Sequence, residues 1–477
     1  MQRATVPRPP LVRQIADQAF SRASGAPLRH HNSVRLLKDA PENYPAWLAA
    51  IDAARHTIHF EMYILHEDAQ GHRFADALIK KAREGVRVRV LYDWMGGFGK
   101  TSRRFWNRMR AGGIEVRCYN APRFDSPLGW LSRDHRKMIA VDHAVAFVTG
   151  LCVGQAWVGD PARGVAPWRD TGVELRGPAV ADCEAAFAEA WAAAGDPLPA
   201  TSAAAASWAP ASGADDIAVR VVATVPYTAG LFRLDQLVAA LARNTLWLTD
   251  AYFAGTTPYI QALRAAAADG VDVRLLVPGA SDIPVLRLFS RAGYRPLLEA
   301  GVRVFEWNGP MLHAKTAVAD GRWARVGSTN LNIASWMSNR ELDVIVEDEP
   351  FAARLAAMYL HDLDNATEVV LDARNRVRAP TPGPGSAVMS RGGRGSSGRA
   401  MAGALRIGNA VTAAITNRRV LEPVESHIAM IAGAALLGFS VLAVIFPRGL
   451  SYPLAAILAW LAIALLYRGF RLHTKHD

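Results

Sequence analysis

The chain repeats itself, and that repeat constrains its fold more than any other feature. Thr57 to Tyr63 (TIHFEMY) resembles Thr245 to Tyr252 (TLWLTDAY), each an apolar run that reaches an acidic residue and then a tyrosine. AREGVRVRVLYD from Ala82 matches AADGVDVRLLVPG from Ala267, each reading as a helix end, a glycine stop and an alternating strand. MRAGGIEVRCYN from Met109 matches LLEAGVRVFEWN from Leu297, and HRKMIAVD from His135 matches HAKTAVAD from His313. Four blocks in the same order predict one βα-rich unit used twice.

Each half closes on His-x-Lys, four residues and Asp: His135, Lys137 and Asp142, then His313, Lys315 and Asp320. Residues two apart on a strand share a face, so each His and its Lys can project into one cleft, while the Asp falls where the strand ends. For the two Asp residues a turn or ion-pair role competes with a direct one. Two such units facing each other supply what phosphodiester exchange needs. One imidazole attacks phosphorus, the other protonates the leaving oxygen, and two lysines neutralise the equatorial oxygens. This chemistry requires neither metal nor cofactor, and no ligand cluster with metal spacing stands out.

The paired motifs resemble those of the phospholipase D superfamily, and most closely the bacterial cardiolipin synthases, over roughly residues 33–364. In the second half the longer family pattern runs on through Gly327, Ser328 and Asn330. The resemblance implies two pseudo-symmetric α/β sandwich halves around one active site, with His135 as nucleophile and His313 as general acid and base. It implies that Ser328 and Asn330 bind substrate phosphate and that Glu341, in SNRELDV, holds the ring of His313. Asp170, in WRDTG, is the counterpart expected for His135. The first half departs from the pattern, with Thr149, Gly150, Leu151 and Cys152 in place of Gly-Ser-x-Asn, which removes two expected phosphate donors.

Outside the repeat, composition changes abruptly. Ile428 to Phe446 is an uncharged run which at helical rise spans about 28 Å, and Leu450 to Tyr467 is a second, so a transmembrane hairpin is expected. Arg418 and Arg419 before it, and Arg468, Arg471 and Lys475 after it, place both ends and the catalytic body in the cytoplasm of a bacterial cell. The expected boundaries are an amino-terminal segment (1–32), first half (33–195), Ala/Ser/Pro linker (196–216) and second half (217–373). A basic tether (374–426), the hairpin (427–470) and a tail (471–477) complete the chain. The tether, rich in Pro, Gly, Ser and Arg, reads equally as a solvated linker or as a segment drawn to anionic lipid.

A formal charge of +11 favours polyanionic partners, and three scattered cysteines exclude a disulfide framework. A membrane-tethered site meets phosphatidyl lipids at high local concentration. Anionic phospholipids are therefore the expected substrates, with phosphatidylglycerol as the donor that the resemblance to cardiolipin synthases implies, and nucleic acid is not an expected partner. The reaction implied is phosphatidyl transfer to a second lipid hydroxyl. Lipid hydrolysis by the same machinery, or nucleic-acid phosphodiester cleavage at a membrane, remain the alternatives; the sequence carries no sign of oligomeric state. Arg103, Arg104, Arg108 and Arg110, interleaved with Phe105 and Trp106, read either as a solvated helix face or as a membrane-binding one. Glu61 reads as a buried ion-pair member or a site residue, and Tyr63 and Tyr252 as packing or cleft-rim aromatics.

Overall fold

The computed structural model describes residues 11–122, 131–199, 216–282 and 290–371, with short pieces between 437 and 463. The first half carries β1 (Arg29–Lys38), β2 (Thr57–Met62), β3 (Arg87–Asp93), β4 (Glu115–Tyr119), β5 (Lys137–Val141), β6 (Val145–Thr149) and β7 (Thr171–Arg176). The second carries β8 (Ile217–Thr224), β9 (Thr245–Thr249), β10 (Asp272–Pro278), β11 (Arg303–Trp307), β12 (Thr316–Ala319), β13 (Trp323–Gly327), β14 (Glu341–Glu347) and β15 (Ala366–Val369). In space the halves run β1-β7-β6-β5-β2-β3-β4 and β8-β14-β13-β12-β9-β10-β11, the same permutation, joined where β1 pairs with β8; β15 extends the second edge. The repeat in sequence is thus a repeat in topology.

Local chemistry sets the elements. The helix Ala69–Arg83 begins where the Asp68 carboxylate accepts from the backbone N–H of Gln70 and Gly71, satisfying donors that a helix start leaves open. Its end, and the end of the matching helix Thr257–Ala268, pass through Gly85 and Gly270 at φ of +92° and +90°, a conformation a side chain would strain. Both turns then feed strands parallel to β2 and β9. Those strands are covered on both faces, and β2 is buried along its whole length.

The continuous sheet folds so that its halves face each other. Ala146, Val148, Val173 and Leu175 of the first half share one apolar cluster with Ala324, Val326, Leu342 and Val344 of the second. Each fully buried Val or Leu contributes about 1.5–3 kcal/mol, so this shared layer ties the halves together rather than leaving two independent domains. Helices cover the outer faces, with Trp47, Phe60 and Phe74 filling the core of the first half and Leu263, Leu275 and Trp336 that of the second.

Among the described residues no helix is long and apolar enough to cross a membrane. The expected hairpin lies mostly outside the described residues, as do the tether and most of the 196–216 linker. In the helix Arg103–Ala111 the apolar side chains Phe105, Trp106 and Met109 are buried. That helix has no apolar face left to insert into lipid; its outward face is basic.

Candidate active site

Both His-x-Lys motifs lie where β5 and β12 begin. β5 is antiparallel to β2 with Lys137 opposite Met62, and β12 to β9 with Thr316 opposite Thr249. His135 and His313 therefore sit at the carboxyl ends of the inner parallel strands, the edge from which loops leave the sheet. Two reciprocal backbone exchanges stitch the halves together there. His135 N donates to Arg340 O at 2.9 Å and Arg340 N to Arg133 O at 2.7 Å; His313 N donates to Arg169 O at 2.7 Å and Arg169 N to Met311 O at 2.9 Å.

This stitching crosses the carboxylates between halves, which corrects the pairing expected from sequence. Nδ1 of His135 lies 2.9 Å from Glu341, not Asp170, and Nδ1 of His313 lies 2.7 Å from Asp170, not Glu341. The physical reason is the order of the strands. Glu341 and Asp170 directly follow Arg340 and Arg169, the residues bonded to the opposite motif, so each carboxylate is delivered to the other half's imidazole.

Each histidine also meets the tyrosine that ends its own half's first repeat block. The Tyr63 ring lies 4.8 Å from His135 with Lys137 Nζ 5.0 Å from its centroid, and the Tyr252 ring lies 5.9 Å from His313 with Lys315 Nζ also 5.9 Å away. Lys137 and Lys315 each donate to the carbonyl of their own histidine, which turns both ammonium groups back toward the imidazoles.

The Ser328 hydroxyl faces the Glu341 carboxylate. Its Oγ donates to Glu341 at 2.6 Å, and Asn339 Nδ2 donates to the other carboxylate oxygen at 3.2 Å. The glycine at 150 therefore removes a support of this kind for a carboxylate. A Cβ at Gly150 would fall 2.1 Å from Asp170 Oδ1, so no serine fits there. The donor comes instead from Trp157, whose Nε1 lies 3.0 Å from Asp170 Oδ2 and whose ring stands edge-on to His313 at 5.6 Å. Trp157 lies on the short helix Gln155–Val158 of the β6–β7 loop, which matches Ile333–Met337 of the second half, and it stands where that half has Ser335. Asn330 is buried, and its Oδ1 makes no hydrogen bond among the described residues.

The motif aspartates lie at the far ends of their strands, five residues or about 17 Å beyond the lysines. Asp142 accepts from the backbone N–H of Arg55, His56 and Thr57, and Asp320 from those of Arg243, Asn244 and Thr245. They pin the starts of β2 and β9. Glu61 is fully buried with Oε1 4.0 Å from Arg136 Nη1, an ion-pair position rather than one facing the imidazoles.

Burial governs the charges. It pushes the His135 imidazole well below its usual value, reinforced by Lys137 and Lys315, and pushes Glu341 up to about 7 against the pull of Lys137. The His135–Glu341 pair is thereby driven toward neutrality. Burial and Lys315 lower His313 to about 4 despite Asp170. Burial alone would raise Asp170, but His313, Lys315 and the Trp157 N–H together hold it below the usual carboxylate range. Lys315 falls to about 8, burial and Lys137 outweighing Asp170. Each lysine acts on both imidazoles, so the four groups form one electrostatic unit.

A family model described as "Cardiolipin synthase, PLD-like domain" matches residues 47–153 and 238–363, each stretch holding one His-x-Lys motif. "Cardiolipin synthase A" of Pseudomonas aeruginosa (strain PAO1) is 35% identical over 371 residues, 76% of this chain and 73% of that one. "Cardiolipin synthase" of Alkalihalophilus pseudofirmus is 31% identical over 347 residues, 72% of this chain and 68% of its own length. A crystal structure of phosphatidylserine synthase from Haemophilus influenzae Rd KW20 superposes with a TM-score of 0.57 at 13% identity, covering 74% of this chain and 91% of that one, which shows a shared fold. Paired motifs, duplicated topology and extended identity agree: the chain belongs to the cardiolipin synthase family of the phospholipase D superfamily.

Proposed function

We propose that the protein is a phosphatidyltransferase of cardiolipin synthase type that uses phosphatidylglycerol as donor and passes through a phosphohistidine. The observation that carries this reading is the crossed arrangement in which each imidazole is held by a carboxylate of the opposite half. That arrangement suits two imidazoles working on one phosphorus, with lysines on both sides.

In the first step the free ring nitrogen of His135 attacks phosphorus, the N–P bond forms, and the bond to the glycerol oxygen breaks. The arriving phosphodiester anion offsets the lysine charges, so His313 takes up a proton, which it passes to the departing alkoxide to release glycerol. Glu341 accepts from the Nδ1–H of the phosphorylated ring. In the second step neutral His313 removes a proton from a hydroxyl of a second phosphatidylglycerol, whose oxygen attacks phosphorus and frees His135. Lys137 and Lys315 neutralise the equatorial oxygens in both steps.

In the same proposal residues 427–470 form a two-span anchor holding the catalytic body at the cytoplasmic face. Cysteine-accessibility labelling at the two flanks and at the turn near Arg448 tests it: opposite-side labelling of the turn is expected, and same-side labelling of all three refutes the hairpin. The activity is tested by incubating the detergent-solubilised full chain with labelled phosphatidylglycerol. Cardiolipin appearing with free glycerol is expected and should vanish in His135→Ala and His313→Ala. Phosphatidic acid as the product would mean hydrolysis instead.

A further inference from the structure

A folded body usually exposes large apolar side chains singly and without pattern. Here Phe98 (59% exposed), Val165 (44%), Tyr227 (86%) and Ile333 (39%) all sit in loops that leave the sheet at the edge carrying His135 and His313. Among the described residues, the other large exposed apolar side chains of the body lie on the helices Gly230–Leu241 and Glu349–Leu363 or after β15.

The link from this rim to the site is direct. The β3 end residue Asp93 accepts from the backbone N–H of Asp134, next to His135, through Oδ2 at 2.9 Å. The turn that follows passes so close to the histidine's neighbour Tyr63 that a Cβ on Gly96 would lie 1.9 Å from the Tyr63 carbonyl oxygen; Phe98 is two residues on. On the other side Tyr227 N donates to Met337 O at 2.9 Å, fixing Tyr227 beside the short helix that displays Ile333. That helix is capped by Asn332, whose amide donates to the Tyr252 carbonyl, and the Tyr252 ring faces His313. Val165 lies in the loop that also supplies Trp157. Both halves therefore raise apolar side chains around one mouth, and Arg103 and Arg104 stand exposed five and six residues after Phe98.

We infer that this rim is a docking surface for an anionic lipid bilayer: Phe98, Val165, Tyr227 and Ile333 enter the interfacial layer while Arg103 and Arg104 meet lipid phosphates. The inference rests on the proposed lipid reaction and adds how substrate arrives. Aromatic and aliphatic side chains beside arginine match the layered chemistry of a membrane surface, apolar within and negatively charged without. A polyanion such as single-stranded nucleic acid would be met by the arginines but gives no use for exposed Ile333 and Val165. Seated this way, the mouth lets a headgroup reach the imidazoles while its acyl chains stay in the bilayer.

The test uses the full chain reconstituted in phosphatidylglycerol/phosphatidylcholine vesicles and, separately, dihexanoyl phosphatidylglycerol below its micelle concentration. Phe98→Asp combined with Tyr227→Asp is expected to lower the vesicle rate about tenfold or more and leave the short-chain rate within about twofold, since both side chains are exposed and outside the site. Equal loss on both substrates, or no loss on either, overturns the inference. Independently, an environment-sensitive fluorophore on Tyr227→Cys should be quenched by lipids brominated near the headgroup end of the chain. Absence of quenching, or fluorescence changes with an oligonucleotide instead, overturns it as well. If the wild-type chain makes no lipid product from either substrate, the reaction proposal fails while the quenching measurement still judges the surface.

Discussion

His135 takes its carboxylate partner from the other half of the molecule: its Nδ1 lies 2.9 Å from Glu341, across 206 residues of sequence. The mirror contact joins His313 to Asp170 at 2.7 Å. Because a carboxylate on one ring nitrogen fixes the tautomer and favours the form that carries positive charge, each substitution should disable the opposite motif. Glu341→Gln is expected to suppress formation of the phosphohistidine, with phosphatidyl transfer falling about 10²–10⁴-fold. Asp170→Asn should leave the first bond-making possible but slow the departure of glycerol and the second transfer. Quenched-flow trapping of labelled enzyme separates the two, and the opposite assignment of effects would show that the nucleophile is His313.

Trp157 supports Asp170 from the β6–β7 loop, where in the second half Ser328 supports Glu341. Trp157→Phe keeps the ring beside His313 but deletes the N–H donor. One charge-assisted bond in a buried site contributes about 1.5–3 kcal/mol, so kcat should fall roughly 10- to 100-fold with little change in KM. Asp170 loses a group that lowers its pKa, so the acid limb of the kcat profile should move to higher pH. An unchanged acid limb would leave Trp157 with a packing role only.

The duplicated unit and the two motifs were legible because period and spacing survive in a single sequence. The match of His135, Lys137 and Asp142 to His313, Lys315 and Asp320 is a local pattern, and so are the glycine stops at Gly85 and Gly270. The crossing of carboxylates was not legible, since it depends on which strand edges the two halves bring together, and Asp170 and Glu341 each lie nearer in sequence to their own half's histidine. The bond from Ser328 to Glu341 was not legible either: a hydroxyl beside a phosphate-binding motif suggests a phosphate donor, and only packing shows that it also reaches Glu341. Trp157 gave no signal because a tryptophan in a longer loop looks like packing. Tyr63 and Tyr252 did repeat, and their approach to the two imidazoles was the available clue to that part of the site.

Lys315 carries its charge in a site that disfavours it. Burial and Lys137 lower it to about 8 against Asp170, so below that pH it is a cation able to meet phosphate, and above it the cation is lost. The activity profile should therefore show an alkaline limb near pH 8, which Lys315→Arg moves upward at reduced rate. For stability the sign is opposite to a favourable ion pair: the unfolded lysine binds its proton up to about 10.4, the folded one only to about 8. Stability should rise with pH across that window, because there the unfolded state holds more protons. Lys315→Met should accordingly abolish transfer yet raise Tm at neutral pH by roughly 2–5 °C. A clear fall in Tm would mean that the ammonium stabilises Asp170 more than burial penalises it.

Asp142 and Asp320 complete the two motifs in sequence, yet they act on the fold. Each sits at positive φ, +52° and +50°, and its carboxylate accepts from three successive backbone N–H groups where β2 and β9 begin. Asp142→Ala strands those donors and is expected to cost about 1–3 kcal/mol. The inner strand it anchors runs to Tyr63, so loosening its start reaches the site only through loss of the folded population. Purified, folded Asp142→Ala and Asp320→Ala should keep kcat within about threefold of wild type at 20 °C while denaturant midpoints drop. A catalytic role predicts the reverse pattern, with midpoint preserved and kcat lost by orders of magnitude, and measuring both on the same preparation decides between them.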